Sequence, residues 1–346
     1  MAKRSKNLVG LDIDATGIVA ASVAVNGRLR VENAAVAPLE PGIIRDGEVA
    51  DVDGLAEALR ALYRSNKGLD KRVRVGLANQ KIVVRVVDLP YLEDHKEIDA
   101  AVRFHAQDQL PMPLEHAVLD HHQLDVIEDE TGRRLRVLLV AARREMVERV
   151  LAALRSAGLK PEGVDLSAFA MVRALHRGGP DGEQVLYLNI GGLTNLAVAR
   201  GTRCSFARAS GSGVDALATD LAERSQLTLE HAHGWLVHVG LETPIEELEG
   251  DAEIVESARR VLLDGVRRIA ADVRSSLDFH RMQDEMASVS SAVLTGPAAS
   301  IPGFAAALAS ELGMPVDEGF VDGVPEGVDA GLVTVAAGLA VEEVAP

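Results

Sequence analysis

The side chains best suited to covalent chemistry are few in this sequence. Cys204 is the single cysteine, and no histidine and acid accompany it in a pattern typical of a thiol nucleophile. We therefore expect it to be a small buried or half-buried residue. Neither a Gly-x-Ser-x-Gly segment nor a Walker-type glycine-rich loop occurs in the chain. The sequence thus gives no indication of an acyl-transfer nucleophile or of a Walker phosphate loop.

The histidines are poorly placed to share a metal ion. His121 and His122 stand in a strand-like stretch, where neighbouring side chains point to opposite faces, so we expect one surface and one core residue. His231, His233 and His238 fall on a predicted helix. His231 and His238 share a face of that helix but lie two turns apart. We interpret these three histidines as structural.

Two similar segments contain the remaining polar candidates, Asp12 and Asn189. Asp12-Ile13 ends an apolar strand in the segment 8–25, and Asn189-Ile190 ends one in the segment 185–203. In both segments a short polar turn and a second apolar strand follow. The two segments are separated by about half the chain. This pattern predicts two similar α/β domains that face one another.

The remaining sequence alternates between strand and helix patterns, which favours a layered α/β fold. Leu55, Leu59 and Leu62, for example, recur at helical spacing. The predicted strands are 73–77, 82–87, 135–141 and 289–294. The predicted helices are 53–66, 97–110, 144–156, 214–224, 228–238, 252–281, 304–312 and 331–341.

Composition narrows the classes of function. The chain has 346 residues and a formal net charge of −16, from 36 Lys and Arg against 52 Asp and Glu. An acidic balance argues against non-specific binding to nucleic acid, which requires positive charge to displace counterions. No stretch of about eighteen apolar residues is present, so we expect no membrane span. A single cysteine permits no internal disulfide and favours a reducing compartment.

Several segments together resemble the type IV pilus assembly protein PilM family. The resemblance covers nearly the whole chain and rests on the order and spacing of the segments rather than on any one motif. The matching segments are Val9-Gly10-Leu11-Asp12-Ile13, 38–49, Leu89-Pro90, 103–113, 158–165, Val293-Leu294-Thr295-Gly296 and Ile301-Pro302-Gly303.

The resemblance implies an actin-like (ribonuclease H-like) duplicated fold with two lobes, an inserted small subdomain and a nucleotide cleft. It is a fold related to that of the cell-division protein FtsA. Residues 1–78 and 158–184 would form the first lobe, 79–157 the inserted subdomain, and 185–346 the second lobe. The family lies at the cytoplasmic face of the inner membrane. It binds the N-terminal tail of the membrane protein PilN in a groove between the first lobe and the inserted subdomain, and this platform couples to the pilus motor.

The resemblance also implies a cleft for ATP and Mg²⁺. In this fold two hairpin turns hold phosphates through backbone N–H groups, and an acid in each hairpin lies near the metal. Asp12 matches the first acid and is the candidate metal ligand. The positions that match nucleotide-binding elements are Asp12, Asp14, Ala15, Thr16, Gly17, Asn189, Gly191, Gly192, Gly213, Gly296 and Pro297.

Several of these positions depart from the family pattern. Asp14 replaces a glycine, Val19 replaces a lysine that reaches phosphate, and Asn189 replaces an aspartate. A carboxylate ~4 Å from a phosphate charge is repelled by ~4 kcal/mol at an effective dielectric of ~20. Pro297 in the adenosine element lacks a backbone donor. We therefore expect an adaptor whose nucleotide cleft is degraded, with ATP hydrolysis weak or lost.

Three alternatives follow from the same resemblance. In the first, the substitutions are tolerated and the chain is an ATP-binding PilM-like ATPase. In the second, the chain is a phosphoryl-transfer enzyme of the same fold, and in the third it assembles into filaments. Fold alone does not decide between them. Asp14 and Asn189 argue against the enzyme, because phosphoryl transfer needs phosphate-binding turns in both hairpins and a catalytic base.

Overall fold

Two five-stranded sheets form the centre of the computed structural model, which describes residues 8–25, 28–129, 132–176, 183–283 and 288–341. The strands are β1 Val9–Ile13, β2 Gly17–Val25, β3 Leu29–Pro38, β4 Ile44–Arg45, β5 Glu48–Val49, β6 Arg72–Leu77, β7 Val83–Pro90, β8 Ala117–Asp129, β9 Gly132–Arg143, β10 Lys160–Leu166, β11 Gln184–Ile190, β12 Thr194–Arg200, β13 Arg203–Ser210, β14 Val289–Thr295 and β15 Val316–Glu318.

Helices cover both faces of each sheet. They are α1 Val52–Ser65, α2 His95–Gln109, α3 Arg144–Ser156, α4 Ser167–Leu175, α5 Val214–Ser225, α6 Leu229–Val239, α7 Ala252–Gln283, α8 Phe304–Leu312 and α9 Ala330–Leu339.

The two sheets have the same topology. The first has the strand order β10-β6-β1-β2-β3, and the second has the order β15-β14-β11-β12-β13. In each sheet the central strand pairs antiparallel with the strand that follows it and parallel with a later strand. Asp12 and Asn189 therefore occupy equivalent places near the ends of β1 and β11. This repetition confirms the predicted pair of similar α/β units.

The helices α4 and α9 form a layer between the sheets. Both helices carry apolar residues around most of their circumference, which is typical of helices that are buried on all sides. Met171 on α4 and Val333 on α9 belong to a core that also contains Ala21 of the first sheet and Tyr187 of the second. This shared core lies between the two sheets and joins them.

Other helices cover the outer faces of the sheets. The helix α1 is amphipathic, and the Asp51 carboxylate caps it by accepting hydrogen bonds from the backbone N–H groups of Asp53 and Gly54. The helix α3 packs beside α1, and its Val150 and Leu154 are buried in the same core. We call the first sheet with α1 and α3 the first lobe, and the second sheet with α5 to α8 the second lobe.

A three-stranded sheet, β7-β9-β8, forms a small subdomain with α2. Its own core contains Ile98 and Val102 of α2 against Leu89 and Leu139 of the sheet. The strand β7 lies at the edge of this sheet and pairs only with β9 among the described residues. The helix α3, which falls within the predicted insertion 79–157, packs on the first lobe. The domain limits drawn above stay a prediction.

Candidate functional site

The turn between β1 and β2 is stabilised by its own carboxylate. Oδ1 of Asp14 accepts hydrogen bonds from the backbone N–H groups of Thr16 (2.8 Å) and Gly17 (3.0 Å) and from the Thr16 hydroxyl (2.7 Å). The backbone N–H of Asp14 donates to the carbonyl oxygen of Gly17. An anion that entered this turn would therefore have to compete with Asp14 for these donors.

The turn between β11 and β12 is pressed against the start of α5. The backbone N–H of Val214 donates to the carbonyl oxygen of Gly191 over 2.7 Å. A Cβ atom on Gly213 would lie only 2.3 Å from the same oxygen. Gly213 is therefore required by close packing, and it does not line the cavity described next.

A cavity of about 310 Å³, here called the cleft, lies between the two turns. Eight predicted residues line it and three do not. The lining eight are Asp12, Asp14, Ala15, Gly17, Asn189, Gly191, Gly192 and Pro297. The other three are Thr16, Gly213 and Gly296. Thr16 donates its hydroxyl to Asp14, and Gly296 lies so close to Asn189 that an added Cβ atom would be 2.0 Å from Oδ1 of Asn189. The structure thus brings both predicted hairpins to one place.

Sequence reasoning missed several cleft residues. These include Asp46, Gln80, Asn195 and Leu332. Asp46, Gln80 and Leu332 come from two loops and from α9, far from the two hairpins in the sequence, so no local pattern marks them. Asn195 lies within the second hairpin, on β12. Asp215 also lines the cleft, in the first turn of α5, and the resemblance matches the segment Gly213-Val214-Asp215 to a glycine pair followed by an acid.

The cleft has an acidic lining. Four aspartates line it, and no lysine or arginine does so among the described residues. Burial raises the pKa of Asp12 to about 7, with a further contribution from the charge of Asp14, while a hydrogen bond from the Ser167 hydroxyl opposes the shift. Burial also raises the pKa of Asp14, and the charge of Asp215 adds to this against the turn's hydrogen bonds. Added negative charge is therefore unfavourable here.

His233 supports Asp215 at the edge of the cleft. Its Nε2 lies 2.9 Å from Oδ1 of Asp215, and its Nδ1 lies 3.0 Å from the carbonyl oxygen of Leu229. The Asp215 hydrogen bond raises the pKa of His233 against the effect of burial. The structural role expected for this histidine therefore includes holding a carboxylate at the cleft.

The other chemistry-bearing residues lie away from the cleft. Cys204 is buried, and burial raises the pKa of its thiol to about 12, so it stays protonated at neutral pH. Within the described residues, no group of three or more His, Cys, Asp or Glu side chains is arranged to hold a metal ion. The role of Asp12 as a metal ligand stays a prediction.

A larger cavity of about 610 Å³, here called the seam groove, separates the small subdomain from the second lobe. Residues 80–85 form one wall, with Pro111 and Met112 after α2. Phe206 and Phe279 belong to the opposite wall, where the Arg85 guanidinium lies 5.1 Å from the centre of the Phe279 ring. Apolar and basic side chains thus meet in one groove, and no acid lines it among the described residues.

No helix in the described part of the chain combines the length and apolar character needed to cross a bilayer.

Comparison with known proteins gives a consistent assignment. The family model described as type IV pilus assembly protein PilM matches residues 10–318. Among solved structures, the chain is similar to one described as the PilM-PilN type IV pilus biogenesis complex, at 27% identity and a TM-score of 0.81, covering 98% of each chain. Cell division protein FtsA of Streptococcus pneumoniae serotype 2 is 24% identical over 331 residues, 85% of this chain and 71% of that protein.

More distant structures share the fold. The ethanolamine utilization protein EutJ of Carboxydothermus hydrogenoformans has a TM-score of 0.56 at 18% identity, covering 96% of this chain and 88% of its own. MreB 5 of Spiroplasma citri bound to AMPPNP has a TM-score of 0.57 at 12% identity, covering 97% and 95%. The fold is therefore actin-like, as the sequence predicted, and it is shared with a protein solved with an adenine nucleotide.

Proposed function

The chain belongs to the type IV pilus assembly protein PilM family, and from that membership we propose that it is a cytoplasmic adaptor of pilus assembly. In this role it lies at the inner face of the cell membrane and binds the N-terminal tail of a PilN-like inner-membrane protein. It thereby connects the membrane complex to the pilus motor. The observation that carries the proposal is the likeness to the PilM-PilN complex, which extends over 98% of both chains.

The seam groove is the candidate site for the tail. The edge strand β7 forms part of one of its walls. A peptide can add to an edge strand through backbone hydrogen bonds while its side chains occupy pockets. The resemblance implied a groove between the first lobe and the inserted subdomain, whereas the seam groove lies between that subdomain and the second lobe. Among the described residues, α2 contributes none to the lining, although Pro111 and Met112 directly after it do.

Binding of the tail is tested by anisotropy with a labelled N-terminal peptide of the PilN-like protein from the same genome. The half-buried side chain of Ile82 lines the groove, so Ile82→Trp should fill it and weaken peptide binding at least tenfold. Val36→Trp adds the same bulk on β3, where Val36 is 43% exposed and does not line the groove, and should leave affinity unchanged. Equal affinity of both variants and the parent would mean that the tail binds at another site. No binding at high micromolar peptide would refute the adaptor role.

We further propose that the cleft does not hold MgATP in a productive form. The acidic lining lacks the cation that would offset a triphosphate, since Val19 stands at the position of the family's lysine. Asp14 already occupies the donors of the first turn. Asn189 supplies an uncharged amide where a second carboxylate would assist a metal. These residues do not fit the nucleotide, and the adaptor function does not depend on it.

Calorimetry with MgATP decides between this proposal and a retained ATPase. The parent should show no saturable heat in the micromolar range. The triple variant Asp14→Gly, Val19→Lys and Asn189→Asp restores the family residues, frees the turn's donors and adds a cation, and should bind at least tenfold more tightly. Micromolar binding by the parent would establish the ATP-binding alternative, while an inert triple variant would show that other residues close the cleft.

A further inference from the structure

A smaller cavity of about 190 Å³ on the same seam contains three arginines. Arg136 comes from β9 of the small subdomain, and Arg200 and Arg203 come from the ends of β12 and β13 in the second lobe. We call this cavity the arginine pocket. It is separate from the cleft, because the two share no lining residue in the described part of the chain.

The acids near the arginine pocket do not match its positive charge. Asp88 engages Arg136 over 3.0 Å and does not line the pocket. Asp125 does line the pocket, but its 3.4 Å contact with Arg203 joins two side chains that are each 65% exposed. Such exposed ion pairs are weak. Arg200 is exposed to solvent, and neither of these acids engages it. In a chain of net charge −16, this is a local surplus of cations.

The inner end of the pocket is polar and buried. Gln184 lines it with 4% of its surface exposed, and its Oε1 has no hydrogen-bond partner. His280 also lines the pocket, is 2% exposed and stacks on Phe206 with the ring centres 5.2 Å apart. A buried amide oxygen without a donor is uncommon in folded proteins. The pocket thus combines cations at its mouth with an unsatisfied acceptor at its base.

We propose that the arginine pocket binds a phosphoryl group that carries or adjoins a hydroxyl, as in hydrogen phosphate or a polyol phosphate. The phosphoryl oxygens accept hydrogen bonds from the arginine guanidinium groups, whose planar donor geometry suits phosphate. The hydroxyl donates to Oε1 of Gln184. A cavity of this volume holds the phosphoryl group and few further atoms.

A bound anion would connect the small subdomain to the second lobe. Across the pocket, the direct contacts of Arg203 are hydrogen bonds of 3.3–3.4 Å to Leu124 and Asp125. A phosphoryl group held by Arg136 on one side and by Arg200 and Arg203 on the other would tighten this connection. Because the seam groove lies between the same two bodies, the anion should also strengthen tail binding, a consequence that rests on the proposed function.

Calorimetry of the full chain with sodium phosphate, sodium sulfate and glycerol 3-phosphate tests the pocket. Phosphate should bind at least tenfold more tightly than sulfate, which has similar shape and charge but no hydroxyl. Arg200→Gln combined with Arg203→Gln should weaken phosphate binding at least tenfold. Arg267→Gln, on an exposed face of α7 where Arg267 is 62% exposed, should not. Tighter binding of glycerol 3-phosphate than of phosphate identifies an ester as the ligand, and the reverse order identifies the free ion.

Gln184→Leu separates binding from folding. The variant should lose the preference for phosphate over sulfate while its melting temperature without anion equals or exceeds that of the parent, because an unsatisfied acceptor has been removed. Absence of saturable binding by any anion, or equal binding by the parent and the double arginine variant, would overturn the pocket. If phosphate binds but leaves peptide affinity unchanged, only the coupling fails. If the peptide never binds, the adaptor proposal fails and the pocket stands.

Discussion

Asp14 acts as an internal anion within the first hairpin. The Asp14 carboxylate already accepts hydrogen bonds from the backbone N–H groups that a phosphate would need. The negative charge of the phosphate would also face Asp12 and Asp215. The substitution of one glycine position by aspartate thus changes the turn in two ways, through hydrogen bonding and through charge. The sequence showed the change of charge, whereas the occupied donors required the structure.

The raised pKa of Asp12 makes stability depend on pH. The folded state keeps the proton of this carboxyl up to about pH 7, while the unfolded chain releases it near its ordinary pKa of about 4. The unfolded state therefore binds fewer protons between these values, and stability falls as pH rises through this window. At about 1.4 kcal/mol per pKa unit, the loss is at most ~4 kcal/mol. Asp12→Asn should remove it and be more stable than the parent at pH 8 but not at pH 4.

Chemical denaturation of both proteins at pH 4, 6 and 8 measures this difference. The asparagine keeps an acceptor for the Ser167 hydroxyl, so the comparison isolates the charge. Glu57→Gln removes an exposed carboxylate on α1 and should give a difference from the parent that stays nearly constant with pH. A constant difference for Asp12→Asn as well would mean that Asp12 is ionised in the folded protein at all three values.

At the scale of elements, glycines set how closely the central helices pack. A Cβ atom on Gly338 of α9 would lie 1.9 Å from the carbonyl oxygen of Ala170 on α4. Gly338→Ala should therefore force the two helices apart and destabilise the protein by about 1–3 kcal/mol, or more if the layer cannot adjust. Gly234→Ala is the matched control, because Gly234 is exposed within α6 and its added Cβ would have no atom within 4 Å beyond its chain neighbours and its own helix backbone. That control should stabilise by up to about 1 kcal/mol, since alanine is the better helix former. Thermal unfolding of both variants shows whether their signs are opposite.

Regular patterns allowed most of the elements to be predicted. Amphipathic helices such as α3 and α8 were predicted with the ends that the structure shows, because their buried apolar residues recur at helical spacing between more polar ones. The helix α4 was missed because it is buried almost all round and has no contrasting polar face. The packing of α3 on the first lobe was also unforeseen, because its apolar face does not specify which surface covers it.

The cleft could be predicted only where residues are close in sequence. The two hairpins supplied adjacent candidates, seven of which line the cavity, and the resemblance supplied the eighth, Pro297. Asp46, Gln80 and Leu332 reach it through the folding of distant segments, which no local pattern reports. The two seam cavities were likewise beyond prediction, because each forms only where the small subdomain meets the second lobe.

At the scale of the whole molecule, the seam between the small subdomain and the second lobe should control binding of the tail. Arg85 of β7 crosses it to lie over the ring of Phe279 on α7, and both residues line the seam groove. Arg85→Met keeps an unbranched side chain that can pack on the ring but removes the charge, so it should lose a cation–π interaction of about 0.5–1 kcal/mol. The seam should then open more often, and peptide affinity should fall about two- to fivefold.

A second cation–π pair in the same subdomain provides the control. Arg133 lies 3.9 Å from the centre of the Tyr91 ring, with both residues inside the small subdomain and outside the groove. Arg133→Met removes an equivalent interaction without touching the seam, so peptide affinity should stay at the parent value. Amide hydrogen exchange distinguishes the two effects: faster exchange along β7 and β13 should accompany Arg85→Met alone. If both variants weaken the peptide equally, the stability of the subdomain rather than closure of the seam governs capture of the tail.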